Sequence, residues 1–473
     1  MARDPGILQG RVAPGSRVME SVPTLEAYAA QIEALAGRLG LDYYPVDFEV
    51  APASLMTEIA VYGLPVRMPH WSFGVRYIHQ LVRQSMGHSK IFEVMFPGDP
   101  ARAFLMDANS LAENALVVAH VLGHADFAKN NSLFARFHAM QGGNIVEQAA
   151  AHAHRIQLAI EKVGMERVEG VLDAALALES HIDVDGELHR SRYAEFVPEK
   201  AARRPSEFQK RFESLPGESR PESLPIGPLR ARVPPHPEYD LLWFIATYAP
   251  ELEQWERDIF LMVRAESLYF YPLFACQIMN EGWASYWHAR LMREADFLPQ
   301  SLYLSAMKAH SDVVRPYASD GQTALAVNPY HLGFTIWEDI VEKHGVTKAM
   351  EVRRDEDDFG FIRNWLDREL AEKSGLFVYE THPGDEIRVA SRDLDAVREA
   401  ILAPKFNYGA PRVAVAEMQN DGGLILTHDT ASDGRGLDSR RAKKVLEYVR
   451  RVWRRPVRLQ TVNERAEPVE LAA

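Results

Sequence analysis

His120 and His124 stand four residues apart, so any helix that contains them presents both imidazoles on one face. Two imidazoles so placed are the usual beginning of a metal site. A later stretch, Met279-Asn280-Glu281-Gly282-Trp283-Ala284-Ser285-Tyr286-Trp287-His288, puts Glu281, Ser285 and His288 on one helical stripe among two tryptophans, a tyrosine and a methionine. A carboxylate and an imidazole in such apolar company need partners. His120 and His124 are the obvious ones. The expected chemistry is a divalent cation, zinc first, held by His120, His124 and Glu281 with Asn280 beside them and one coordination position open. The same residues also suit a set of core hydrogen bonds between two helices.

Asn280-Glu281 followed by Ser285 is similar to the way gluzincin metallopeptidases supply a third ligand, although 157 residues separate His124 from Glu281. Val121 follows His120 where the His-Glu-x-x-His motif has its general base. Hydrolysis would then need a base from elsewhere, and Asp126, Glu113, Glu147 and His288 are the candidates. Of these, Asp126 and His288 join Glu281 as the expected catalytic set. Glu113, seven residues before His120, shares its face as a fourth ligand or as a partner that orients it, or else caps the helix.

Other chemistry-bearing residues sit near breakers. Asn328-Pro329 signals a turn that sets Tyr330 and His331 at the start of a helix, or simply caps that helix. His310 lies shortly before it. The breaker-rich stretch from Gly63 to Gly74 carries His70 and Trp71, as a site-lining loop or a packed Ω-type loop. His138, His152 and His154 read as structural or surface groups. There is no phosphate-binding Gly-x-x-x-x-Gly-Lys loop, no Gly-x-Gly-x-x-Gly and no Gly-x-Ser-x-Gly elbow. Cys276, the only cysteine, excludes an intramolecular disulfide and reads as a buried, inert thiol.

The elements that must position these groups are mostly helical. With 473 residues, 47% of them hydrophobic and 25% charged, the chain can build a large core in two or three domains. Its formal charge of −13 argues against general nucleic-acid binding. The basic helix from Ser439 to Trp453 reads as a solvated face or a partner-binding one. No apolar leader and no run of about 18 apolar residues is present, so a cytoplasmic protein without a membrane span is expected. The predicted organisation is a mobile tail (1–22), a helical core in two parts (23–182 and 239–374), a proline-rich linker or surface excursion between them (183–238), and a small α+β C-terminal domain (375–473). The fold class is thus mainly α, with a large, zincin-like helical domain first.

His120-Val-Leu-Gly-His124-Ala-Asp126-Phe-Ala-Lys129-Asn130-Asn131, Met279-Asn280-Glu281-Gly-Trp283-Ala-Ser-Tyr-Trp287-His288, Asn328-Pro329-Tyr330-His-Leu-Gly333 and Pro69-His70-Trp71-Ser72-Phe73-Gly74 together resemble the SpoVR family, named for stage V sporulation protein R. The likeness runs from about Leu25 to Val462 and breaks down around residues 185–237. It implies a cytoplasmic bacterial protein tied to spore cortex formation in spore formers. Elsewhere it implies a stress-response role beside a PrkA-type serine protein kinase and a von Willebrand-like partner. The resemblance implies no settled reaction. Two functions are therefore carried forward: a metal-dependent hydrolase lacking the usual glutamate, and a non-enzymatic regulator or scaffold in a kinase-linked complex.

Overall fold

The computed structural model describes residues 24–85, 93–141, 145–190, 193, 233–315, 328–382 and 386–473. The expected tail at 1–22 and most of the expected linker at 183–238 lie outside these residues. The described chain is mainly helical, with a small mixed α+β region at its C-terminal end.

The first helix, α1 (Leu25–Arg38), is capped by the Thr24 hydroxyl and buries Tyr28, Ile32, Leu35 and Ala36, the one-sided spacing of an amphipathic helix. Strand β1 (Val46–Ala51), helices α2 (Ala53–Tyr62) and α3 (Trp71–Ser85), and strands β2 (Glu93–Phe96) and β3 (Ala101–Met106) follow. The three strands form one sheet in the order β1-β3-β2, parallel between β1 and β3 and antiparallel between β3 and β2. Helix α4 (Leu111–Asn130) starts at a capping box in which Ser110 and Glu113 satisfy each other's backbone N–H groups. It is apolar nearly all the way round, as a helix through the middle of a large core must be. Its Val117 and Val121 pack on Ala103 and Leu105 of the sheet. Its opposite side meets the first large core cluster through Leu116, Ala119 and Leu122.

Helices α5 (Ser132–Gln141), α6 (Ile145–Val163), α7 (Met165–Ala177) and, after the short α8 (Gly186–His189), α9 (Leu241–Tyr248) follow, and α5, α6, α7 and α9 pack around α10 (Gln254–Ala275). Pro272 cannot continue the hydrogen-bond ladder of α10, and after Cys276 the chain turns by 59° into α11 (Gln277–Glu294), which carries Glu281. The freed N–H groups at this break, those of Ile278 and Met279, donate to the fully buried carboxylate of Asp358 at 3.0 and 2.9 Å, and Lys405 Nζ pairs with it at 3.0 Å. No single helix among the described residues is long and apolar enough to cross a membrane.

Beyond α11 come α12 (Gln300–Val313), α13 (Pro329–Asp355, broken at Gly345 with φ +82°), α14 (Asp358–Trp365) and α15 (Arg368–Lys373). Helix α11 is clamped between α4 and α13 at glycines. A Cβ on Gly123 would lie 2.7 Å from Ala284 Cα, and one on Gly282 would lie 2.3 Å from the Gly333 backbone. Only hydrogen at these positions permits the close approach that lets short side chains from different helices meet.

The C-terminal part runs twice through two strands and then helix, and ends on two further strands. Strands β4 (Val378–His382) and β5 (Glu386–Ser391) form a separate hairpin followed by α16 (Leu394–Leu402). Strands β6 (Val413–Met418), β7 (Leu424–His428), β8 (Val457–Val462) and β9 (Pro468–Ala472) form a four-stranded sheet in sequence order. The short α17 (Thr430–Asp433) and the longer α18 (Ser439–Trp453) cross over between β7 and β8, which pair in parallel. The buried side of α18, Leu446, Val449, Val452 and Trp453, shares one hydrophobic cluster with α7, α9 and α10.

Candidate metal centre

Helices α4 and α11 run antiparallel, so His120 meets His288 while His124 meets Asn280 and Glu281. Glu281 Oε2 lies 3.7 Å from His120 Nε2 and 3.5 Å from His124 Nε2. A second carboxylate comes from the start of β2, where Glu93 Oε1 lies 3.7 Å from His120 Nε2. Glu93, His120 and His124 bring one donor atom each to within 4.8 Å of one another. Ligands bound to zinc at ~2.0–2.1 Å in a tetrahedron stand roughly 3.3 Å apart, close to these separations. Glu281 Oε2 is buried and makes no hydrogen bond of ordinary geometry among the described residues.

Both imidazoles turn Nε2 toward the carboxylates and tie up Nδ1 behind. His124 Nδ1–H donates to Asn280 Oδ1 at 2.9 Å, and His120 Nδ1 pairs with His288 Nδ1 at 2.9 Å. Partners on the far nitrogen fix the ring and leave a lone pair facing inward, as metal-binding histidines require. The chain of imidazoles continues from His288 Nε2 to His310 Nδ1 of α12 at 2.6 Å. Tyr330, in the first turn of α13, stacks on His120 with ring centroids 6.3 Å apart. Asn328 caps that turn by accepting from the Tyr330 N–H, and its amide donates to Val313 O and Arg315 O, tying α13 to the end of α12.

The electrostatics describe a donor set that suits a cation. Burial drives Glu93 above the usual carboxylate range, only partly opposed by the two histidines. Burial also disfavours ionised Glu281, but His124 and then His120 overcome it and hold that carboxyl far below its usual range. In return Glu281 more than offsets the effect of burial on His124 and lifts it above an ordinary imidazole. The Glu281 charge, followed by burial, raises the Tyr330 hydroxyl well above its ordinary value, so the phenol keeps its proton.

His288 and His310 titrate in the other direction. Burial and the neighbouring imidazoles hold His288 well below its usual value, and burial, then Arg293 and His120, push His310 down to about 4. The unfolded chain takes up these protons near pH 6.5 and the folded one resists them, so their contribution to stability is complete above that pH and is lost on acidification. Thermal unfolding followed between pH 7 and pH 4 should show a falling midpoint, with a shallower fall in His310→Gln. An equal slope in the variant would mean that His310 does not contribute.

Several residues expected near the site serve elsewhere. Asp126 is two positions past His124, a rotation of roughly 200° to the other side of the helix. There its buried carboxylate accepts from the Asp42 N–H at 2.8 Å, the Trp283 indole at 2.8 Å and Arg353 at 2.5 Å. Glu113 closes the capping box of α4 with Ser110, the capping role weighed above, and so is taken up at the helix start. His70 and Trp71 both bind Asp173 of α7, at 3.1 and 2.9 Å, beside the second core cluster. Ser285 is buried next to the stripe of Glu281 and His288, its hydroxyl without a hydrogen-bond partner among the described residues. Val121 is fully buried against the sheet, so the position after His120 supports the fold and offers no base. Sequence reasoning missed Glu93. Its signal was a lone acid in the otherwise apolar run Ile91-Phe92-Glu93-Val94-Met95-Phe96.

The structure thus sets a two-histidine, two-carboxylate cluster between α4, α11 and β2 in a helical scaffold joined to a small C-terminal sheet. The family model described as SpoVR like protein matches residues 20–409, and the one described as SpoVR-like C-terminal domain matches residues 411–464. The chain belongs to the SpoVR-like family. It is similar to the uncharacterized protein YcgB of Escherichia coli (strain K12), with 29% identity over 479 residues that span 93% of this chain and 92% of that one. No solved structure matches the chain.

Proposed function

We propose that the protein is a zincin-like, metal-dependent hydrolase of the cytoplasm in which Glu93, His120, His124 and Glu281 hold one divalent cation, zinc by the chemistry of the donors. The observation that carries this reading is the convergence of two Nε2 atoms and two carboxylates while both Nδ1 atoms are held from behind. When bound, such a cation polarises a carbonyl or phosphoryl oxygen. Asn280 and His288 keep the ligating rings in place. Tyr330 presents a protonated hydroxyl beside Glu281, suited to donate a hydrogen bond to oxygen that gains charge. An amide bond, as in a peptidoglycan precursor assembled in the cytoplasm, agrees with the sporulation and stress associations of the family. A PrkA-type serine kinase and a von Willebrand-like protein are the proposed partners.

Protein purified without chelator should contain about one divalent cation per chain, and returning zinc to chelator-treated protein should raise its unfolding temperature. Absence of stoichiometric metal together with no thermal response to zinc would remove the proposal. The burial of Val121 in place of a general base favours a second reading, in which the cation steadies a regulator or scaffold without turnover. The two separate on Glu281→Gln and His124→Ala. Full cellular function with the fold intact excludes chemistry at this site.

A further inference from the structure

A cavity of about 510 Å³ lies between the end of α7, the start of α9 and the C-terminal unit of sheet and α18. Its walls are mainly aliphatic, Leu178, Leu241, Leu437, Val445, Val449 and Leu459 among them. Small-molecule sites typically fall in this size range, sit where domains meet and carry few polar groups. Here the distinguishing polar group is His181, which follows α7 and lines the cavity. Its backbone is fully engaged, the N–H with Leu178 O and the carbonyl with Leu241 N–H, which fixes where the ring can go. Its Nδ1 is shielded with no hydrogen-bond partner among the described residues, so a ligand in the cavity reaches the ring at Nε2.

We infer that this cavity binds an uncharged, largely apolar small molecule carrying one hydroxyl or carbonyl group, which hydrogen-bonds to His181. The charges around the cavity each already have an opposite partner, which disfavours an ionic ligand. Glu179 pairs with Arg67 and Arg76 at 3.7 and 3.8 Å, Arg441 with Asp438 at 3.4 Å, and Arg435 with the buried Asp433. Burial pushes His181 down to about 4, so at neutral pH its ring is uncharged and Nε2 donates or accepts according to the tautomer. The cavity joins the segments matched by the two family models, and its occupant would contact both. This site is separate from the histidine–carboxylate cluster and does not depend on that cluster holding metal.

The test uses the full chain and prodan, an uncharged naphthalene ketone whose emission reports both an apolar site and a hydrogen bond to its carbonyl. Saturable binding with blue-shifted emission is expected, displaced by 2-naphthol and not by naphthalene-2-sulfonate. His181→Leu should weaken binding about tenfold, the effect of one hydrogen bond, with His181→Asn closer to wild type. Val445→Trp, which fills the cavity from a half-buried position on α18, should abolish binding while unfolding as wild type does. Lack of saturable binding, equal displacement by the sulfonate, or wild-type binding by Val445→Trp would overturn the inference. If His181→Leu does not fold, Val445→Trp and the competitor pair decide.

Discussion

Replacing Glu281 by glutamine is expected to weaken divalent-cation binding by at least ~100-fold while leaving the helical fold intact, because loss of a partner that merely orients a ligand already costs ~10–100-fold. Glutamine preserves the shape of a side chain packed between two histidines and removes the anion that both face at 3.7 and 3.5 Å. His124→Ala should do at least as much, since it deletes one ligand and strands Asn280. Asn280→Ala, which leaves all four donors in place, belongs in the lower range. Competition with a chromophoric chelator measures all three. A wild-type affinity in Glu281→Gln would leave Glu93 and the two histidines as the whole ligand set and remove Glu281 from it.

The second large effect lies on the other side of the same helices. Arg353→Met should destabilise the protein by about 3–5 kcal/mol, the usual consequence of stranding one member of a buried ion pair. Asp126 would keep the Asp42 N–H and the Trp283 indole but lose its counter-charge, in a place where burial already raises its carboxyl despite Arg353. The double variant Asp126→Leu/Arg353→Met should recover much of that loss, because an apolar pair of similar volume is often no worse than the ion pair. Urea unfolding reports both. Equal stability of Arg353→Met and wild type would show that water or another group solvates Asp126 in the folded state.

These two tests divide what was legible in the sequence from what was not. His120, His124 and Glu281 stood out because ionisable groups at helical spacing interrupted apolar runs, and such groups must converge on something. Asp126 stood in the same runs and met the same requirement, yet helical rotation sends it to Arg353, which lies 227 residues away and gave no local signal. Glu93 was obscured for a different reason. A single acid in a short strand has no periodic partner, and its place beside His120 depends on how β2 pairs with β3 and on how the sheet packs against α4. Tyr330 could be read from turn chemistry, since Asn328-Pro329 fixes where the next helix begins. The helices followed from their spacing and caps. The parallel pairing of β1 with β3 and the last strand, β9, did not, because short strands declare neither neighbour nor register.

The glycine contacts of α11 have a consequence for how tolerant the site is to thermal motion. Where helices rest on leucine or methionine, their spacing fluctuates as side chains change rotamer. Gly123 of α4 meets the main chain of Ala284 on α11, and main chain has no rotamers to exchange. The distance from Glu281 to the histidines is thereby set by hard atomic radii one residue from His124, so the aperture of the cluster is a gauge block rather than a spring.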